Sequence, residues 1–207
     1  MPQEVLPDTT DPEAGDFTMD EALVGMPEGP GPLRATFVLQ FGNIVCELLP
    51  DVAPIGVANF VGLGRGARPW RDPATKQWVK RPFYDGLVFH RIIDDFMAQG
   101  GDPLGTGAGG PGYKLTNASS DIGAEVSVPG TLAYANSGSP GSSGSQFYIT
   151  EVATPWLDGD YIIFGHCTPL AVIDGLTSVP VEADGETPVD PPVIQYVTFT
   201  RCAPDAQ

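Results

Sequence analysis

The sequence predicts an all-β fold of antiparallel strands, and three observations lead there. Apolar and polar residues alternate in short runs, the period-2 signature of strands with one buried face. Gly (26) and Pro (22) are abundant among the 207 residues and fall between those runs, where turns need them. Only two stretches place apolar residues at helical spacing.

Taken in order, residues 1–32 are rich in Pro, Gly and acid and poor in apolar side chains. They are expected to form a disordered or loosely packed extension ahead of a domain at 33–203. Leu33 to Phe41 and Ile44 to Leu49 read as a hairpin turning at Gly42-Asn43. Asp51 precedes a helix with Pro54 in its first turn and Val57, Phe60, Val61 and Leu63 on one stripe, ended by Gly64 and Gly66. Residues 65–82, RGARPWRDPATKQWVKRP, are basic, aromatic and turn-rich. They suit a solvated flap whose Trp70 and Trp78 pack back on the body, or else an accessory surface for acidic clients. Further strands are expected at Leu87–Ile93, Phe96–Gln99, Thr131–Ala135, Ser145–Thr150, Tyr161–Cys167 and Val193–Arg201. A second helix is expected at Pro169–Val179, with Leu170, Ile173 and Leu176 on one face. Ser137 to Ser145 reads as a mobile surface loop.

Charge and composition exclude several functions. The formal charge is −16, which argues against nucleic acid and against an anionic membrane surface. Residues 1–28 carry eight acids and no Lys or Arg, whereas six of the ten basic residues fall within 65–81. No stretch approaches the roughly 20 apolar residues of a membrane span, and no charged-then-apolar leader opens the chain. The compartment stays open between cytoplasmic and periplasmic or secreted. Cys46, Cys167 and Cys202 lack metal spacing. They read as small buried hydrophobes, or as a Cys167–Cys202 disulfide with Cys46 free in an oxidising compartment.

The chemistry centres on FYDGLVFHRIIDDFMAQGG, residues 83–101. Strand alternation puts Arg91 on one face with Leu87, Phe89 and Ile93. An arginine among apolar residues is costly to desolvate unless its donors are accepted. Either it pairs with a carboxylate or snorkels to water, or it stands beside an apolar pocket awaiting a ligand carbonyl. Gly105, Gly107 and Gly110 match G-x-G-x-x-G, but Pro111-Gly112 follows at once and no helix begins, so a dinucleotide site is rejected. A hydrolase using Ser145 or a Cys with His90 or His166 would need an elbow or Cys-His signature that the sequence lacks.

FHRIIDDFMAQGGDP, then GTGAGGPGY, then GTLAYANSGSPGSSGSQFYIT, then WLDGDYIIFG resemble the cyclophilin family of peptidyl-prolyl cis-trans isomerases, in that family's order, across about residues 33–202. Pattern alone gives all-β. The resemblance implies a closed eight-stranded antiparallel barrel capped by two α-helices, with 65–82 as a loop insertion. It implies isomerisation of X-Pro bonds in unfolded or flexible polypeptides, with Arg91 as the catalytic cation. Phe96, Met97, Tyr148 and Leu157 would grip the proline ring. Gln99, Asn136, Gln146 and the backbone of Ala135 would hold the flanking chain. Trp156 would line the groove and contact cyclosporin, a candidate ligand. Tyr148 stands where the family usually has Phe, and Tyr161, also at the site, where some members have His. Asp94-Asp95 replaces a common Pro-Gly and could pull on Arg91. Read singly, Phe96, Met97 and Leu157 also suit a core, and Gln99, Asn136 and Gln146 suit turn satisfaction. No cofactor or metal is expected, the partners are proline-containing segments of client proteins, and the chain is expected to be monomeric. The alternative is a proline-peptide-binding module or holdase with little turnover.

Overall fold

The computed structural model describes residues 5–6, 11–13, 17–27, 29 and 31–201. Eight strands form one antiparallel sheet: β1 (Leu33–Leu39), β2 (Gly42–Leu48), β3 (Arg91–Ile93), β4 (Met97–Gly100), β5 (Thr131–Tyr134), β6 (Phe147–Thr150), β7 (Ile163–Thr168) and β8 (Tyr196–Arg201). Their order across the sheet is β8-β1-β2-β7-β5-β6-β4-β3. The mainly-β class expected from alternation is the one observed. The end strands β3 and β8 share no ladder among the described residues. The segments ahead of them meet at one isolated bridge, Val88–Val193, flanked by hydrogen bonds from Phe89 N–H to the Pro192 carbonyl (2.9 Å) and from Ile194 N–H to the Leu87 carbonyl (2.8 Å).

One face of the sheet forms the core. Leu33, Ala35, Phe37 and Leu39 of β1 alternate inward as their spacing requires. Phe37 meets Phe147 at 5.2 Å, and Phe60 meets Phe164 at 5.1 Å between ring centroids. The strand expected at Leu87–Ile93 begins only at Arg91. Phe89 is fully buried in this core, whereas Arg91 is half-buried and lines a surface pocket. The two therefore do not share a face. Residues 89 and 90 lie outside the ladder, so strict alternation does not carry through them.

Among the described residues there are three α-helices: α1 (Met19–Leu23), α2 (Pro54–Gly64) and α3 (Leu170–Thr177). The start of α2 is capped from far along the chain, by Gly56 N–H donating to Asp121 Oδ2 at 2.8 Å. Ile173 and Leu176 of α3 are buried, but Leu170, expected with them, is exposed.

The expected single apolar stripe on α2 is too little. Gly56 to Gly64 are all buried, because the N-terminal segment covers the helix's outer side. The looseness expected of residues 1–32 does not hold for this described part. Thr18 and Glu21 form a reciprocal capping box that starts α1. Phe17 is buried against Gly62, where any side chain would collide with its ring. The Arg65 guanidinium donates to the carbonyls of Ala22 and Val24. Arg68 is 2% exposed; it donates to Asp11 Oδ2 at 3.1 Å and Asn59 Oδ1 at 3.0 Å, and lies 4.0 Å over the Tyr113 ring.

The 65–82 insertion folds back on the body. Trp70 and Trp78 are buried, and their short strands pair with each other. Arg81 binds Asp72 at 2.8 Å and lies over the Trp70 ring.

The cysteine pairing differs from the expected one. Cys46 of β2 and Cys167 of β7 are directly opposed in register and form a disulfide. Cys202 lies outside the described residues. Titration of the unfolded protein should count two more thiols with reductant than without. Phe17→Ala should lower the unfolding free energy by about 3 kcal/mol, the usual loss for an emptied aromatic site, measured by denaturant titration.

Candidate functional site

The sheet's second face carries the site. Register sets Ile163 of β7 opposite Ala133 of β5, Ala133 opposite Tyr148 of β6, Tyr148 opposite Gln99 of β4, and Gln99 opposite Arg91 of β3. This row crosses five strands. Met97, Ala133, Tyr148 and Ile163 form a small apolar cluster separate from the main core, with Ile93, Phe96, Ala135, Leu157 and Tyr161 packed around it. The bland reading of Met97 as core holds only in this sense: it is buried, but in the floor of a surface hollow.

That hollow has a volume of about 220 Å³ and is lined by Arg91, Phe96, Met97, Gln99, Ala135, Asn136, Tyr148, Leu157 and Tyr161. Gln146 lines an adjoining cavity of about 280 Å³, which shares Gln99, Ala135 and Asn136 with the first. Trp156 does not line the hollow. It is 65% exposed on the rim, its ring 6.0 Å from that of Phe96. The residues expected to hold a proline peptide thus lie in or beside one continuous depression, whereas His166 lines a separate pocket with Arg34 and Glu47.

Polar groups fix the walls. Gln99 Nε2 donates to Gln146 Oε1 at 2.9 Å, and Gln146 Nε2 donates to the carbonyls of Gly107 and Gly109 at 2.8 and 2.9 Å. Ala135 N–H donates to the Gln146 carbonyl, pinning the chain between the two cavities. Asn136 Nδ2 donates to the Asp160 carbonyl at 3.1 Å. Tyr148 stands edge-on to Tyr161, with ring centroids 5.6 Å apart. Its hydroxyl has no hydrogen-bond partner among the described residues. Burial, with Tyr161 and Asp158 nearby, pushes its pKa well above the ordinary phenol range, so it stays protonated.

Arg91 is half-buried, and its Nε donates to Glu186 Oε2 at 2.7 Å. Asp94 and Asp95, the acids expected to pull on it, form no ion pair with it among the described residues. Asp94 accepts from Ser178, and Asp95 occupies the left-handed turn that joins β3 to β4. His90 lines a cavity of about 360 Å³ beyond Arg91, together with Glu186 and Thr187. Burial lowers its pKa against the opposing pull of Asp102, leaving the imidazole uncharged at neutral pH. Ser145, the nucleophile a hydrolase would need, is buried and donates to the Gly101 carbonyl at 2.7 Å. Among the described residues no three His, Cys, Asp or Glu side chains are grouped to hold a metal ion, and no helix is long and apolar enough to cross a membrane.

Asp102 and Glu186 are two contributors that the sequence reading missed. Asp102 is 1% exposed and accepts from Leu104 N–H at 2.7 Å and Thr106 N–H at 2.9 Å. It organises the glycine-rich loop, and Gly109 must lack a side chain because one would strike this carboxylate. Burial pushes its carboxyl up, but the N–H groups of Leu104, Gly109, Thr106 and Gly107 outweigh that and hold it below the ordinary range. An acid following Gly-Gly and preceding a glycine run was the available signal.

Residues 35–199 match the model of the "Cyclophilin type peptidyl-prolyl cis-trans isomerase/CLD" family. Peptidyl-prolyl cis-trans isomerase B of Streptomyces anulatus is 43% identical over 169 residues, covering 80% of this chain and 95% of the relative. Peptidyl-prolyl cis-trans isomerase A of Mycobacterium tuberculosis is 43% identical over 175 residues, covering 80% and 91%. The crystal structure of a cyclophilin type isomerase from Cryptosporidium parvum superposes with a TM-score of 0.66 at 26% identity, over 84% of this chain and 99% of that one. A second structure of that protein, with a TM-score of 0.64 at 26% identity over 83% and 99%, was obtained in the presence of the dipeptide Ala-Pro.

Because the folded Asp102 carboxyl lies below its ordinary value, it contributes stability above the unfolded value of about 3.9 and loses it as the pH falls toward the folded one. Asp102→Asn should therefore be about 2 kcal/mol less stable than wild type at pH 7, with the gap narrowing below about pH 4. Urea titrations at the two pH values measure it.

Proposed function

The chain belongs to the cyclophilin family of peptidyl-prolyl cis-trans isomerases, and from that premise we propose how its surface hollow turns an X-Pro bond. The enzyme class follows from the family; the assignment of roles below is ours.

A peptide bond resists rotation by ~18–20 kcal/mol, because the nitrogen lone pair is shared with the carbonyl. The cis and trans forms of X-Pro differ by only about 0.5–1 kcal/mol. No bond has to break and no proton has to move. The catalyst must bind the twisted amide better than either planar form. Twisting returns the lone pair to the prolyl nitrogen, so a donor aimed there is worth more in the transition state than in the ground state.

Arg91 supplies that donor. Its guanidinium presents a planar fork of donors, and only its Nε is engaged by the protein among the described residues. The proline ring enters the 220 Å³ hollow over Met97, between Phe96, Leu157 and the Tyr148–Tyr161 pair. The Tyr148 hydroxyl, protonated and without a partner, offers one polar contact that a phenylalanine would not. Gln99, Asn136, Gln146 and the backbone at Ala135 hold the residues before proline extended. The shared wall between the two cavities supports this path. Trp156 on the rim closes over bulkier ligands such as cyclosporin. The clients are flexible or unfolded proline-containing chains. The same reading takes the curled sheet as the family's closed barrel, supported by the Val88–Val193 bridge, and residues 33–203 as the isomerase unit.

The observation that carries the proposal is the juxtaposition of one cation with an apolar hollow on a single register row. A protease-coupled assay on an Ala-Pro peptide tests it. Arg91→Ala should lower kcat/KM by about 100-fold, the usual cost of deleting one transition-state donor, with the fold unchanged by circular dichroism. Cyclosporin should inhibit the wild type. A wild type no faster than buffer would leave only a peptide-binding module.

A further inference from the structure

We propose that Glu186 is a positioning residue for Arg91, its carboxylate fixing one edge of the guanidinium so that the other edge is aimed at the prolyl amide. The inference rests on the reading of Arg91 given above.

Arginine loses much rotamer freedom when it is fixed, and burial alone does not fix this one, whose side chain is 39% exposed. Its cross-strand neighbour Gln99 is already engaged with Gln146. Glu186 takes the Nε–H at 2.7 Å, a charge-assisted bond in the short range. Because the guanidinium is planar, holding Nε sets the direction of both Nη groups, and neither donates to the protein among the described residues.

Glu186 is itself held. Its carbonyl accepts from Ile92 N–H at 2.8 Å, the residue next to Arg91, so the clamp is tied to the strand it serves. Its own N–H and that of Thr187 donate to Asp184 Oδ1 at 3.0 and 2.9 Å, and Thr187 Oγ1 donates to Asp184 Oδ2 at 2.6 Å. Glu182 N–H reaches the Thr187 carbonyl at 2.7 Å, and Val181 bridges Pro188. The result is a small braced turn carrying one carboxylate.

A half-exposed ion pair contributes little to folding. Misdirecting a catalytic group by a fraction of its length costs far more, because the donor must meet the nitrogen only in the twisted state. The proline hollow is formed by other residues, so substrate affinity should be nearly indifferent to Glu186.

The test is a double-mutant cycle in the same isomerisation assay, with Glu186→Ala and Glu186→Gln each made alone and with Arg91→Ala. Glu186→Ala should lower kcat about tenfold with KM within about twofold. Glu186→Gln, which keeps an acceptor oxygen, should recover most of that loss. Neither should change the rate further once Arg91 is alanine. A Glu186→Ala enzyme as fast as wild type or faster, a Gln variant as slow as Ala, or an equal loss in the Arg91→Ala background would each overturn the inference. If Arg91→Ala were itself as fast as wild type, the reading of Arg91 would fail instead.

Discussion

Everything at this site depends on one constraint: a sheet with one face sealed into a core cannot change which side chains it shows on the other. Phe147 and Ile149 of β6 are fixed inward among aromatic rings, so Tyr148 between them must face out. Ile92, fully buried, does the same for Arg91. A slip of one residue would exchange Arg91 for Ile92 in β3, and Tyr148 for Phe147 or Ile149 in β6. The precision that catalysis needs is inherited from packing on the opposite side of the backbone.

Much of this was legible in the sequence. Arg91, Met97, Gln99 and Tyr148 stand on short strands, whereas Phe96, Ala135, Asn136 and Tyr161 lie just outside them and Leu157 sits in a 3-10 turn. Other features needed three dimensions. Cys46 and Cys167 are 121 residues apart and become neighbours only when β2 pairs with β7; nothing in their spacing favoured that pair over Cys167 with Cys202. Glu186 is 95 residues from Arg91, a single acid in an acidic chain. The failure at Phe89 has a local cause, because alternation holds only while a strand stays in its ladder, and this one enters at Arg91. The docking of the N-terminal segment had a signal that composition drowned out: Thr18-Met19-Asp20-Glu21 is a capping box following Phe17.

The charge distribution also takes on a meaning that a net figure of −16 hides. The basic insertion and the acidic leader, which sequence alone left as unrelated biases, are in part partners. Arg65 and Arg68 turn toward the leader, and Arg81 binds within its own loop. Among the described residues, Arg91 is the one Arg or Lys that lines the 220 Å³ hollow, while Lys114 lines the adjoining cavity.

Arg68 extends the point to the molecule's borders. A guanidinium sunk beneath aromatic rings is tolerable only with its carboxylate in place, and that carboxylate, Asp11, belongs to a stretch easily dismissed as a tail. Cutting the chain just ahead of Leu33 would spare every strand of the sheet and every wall of the hollow. It would also take the Asp11 carboxylate from Arg68, leaving Asn59 Oδ1 as the acceptor that guanidinium keeps among the described residues.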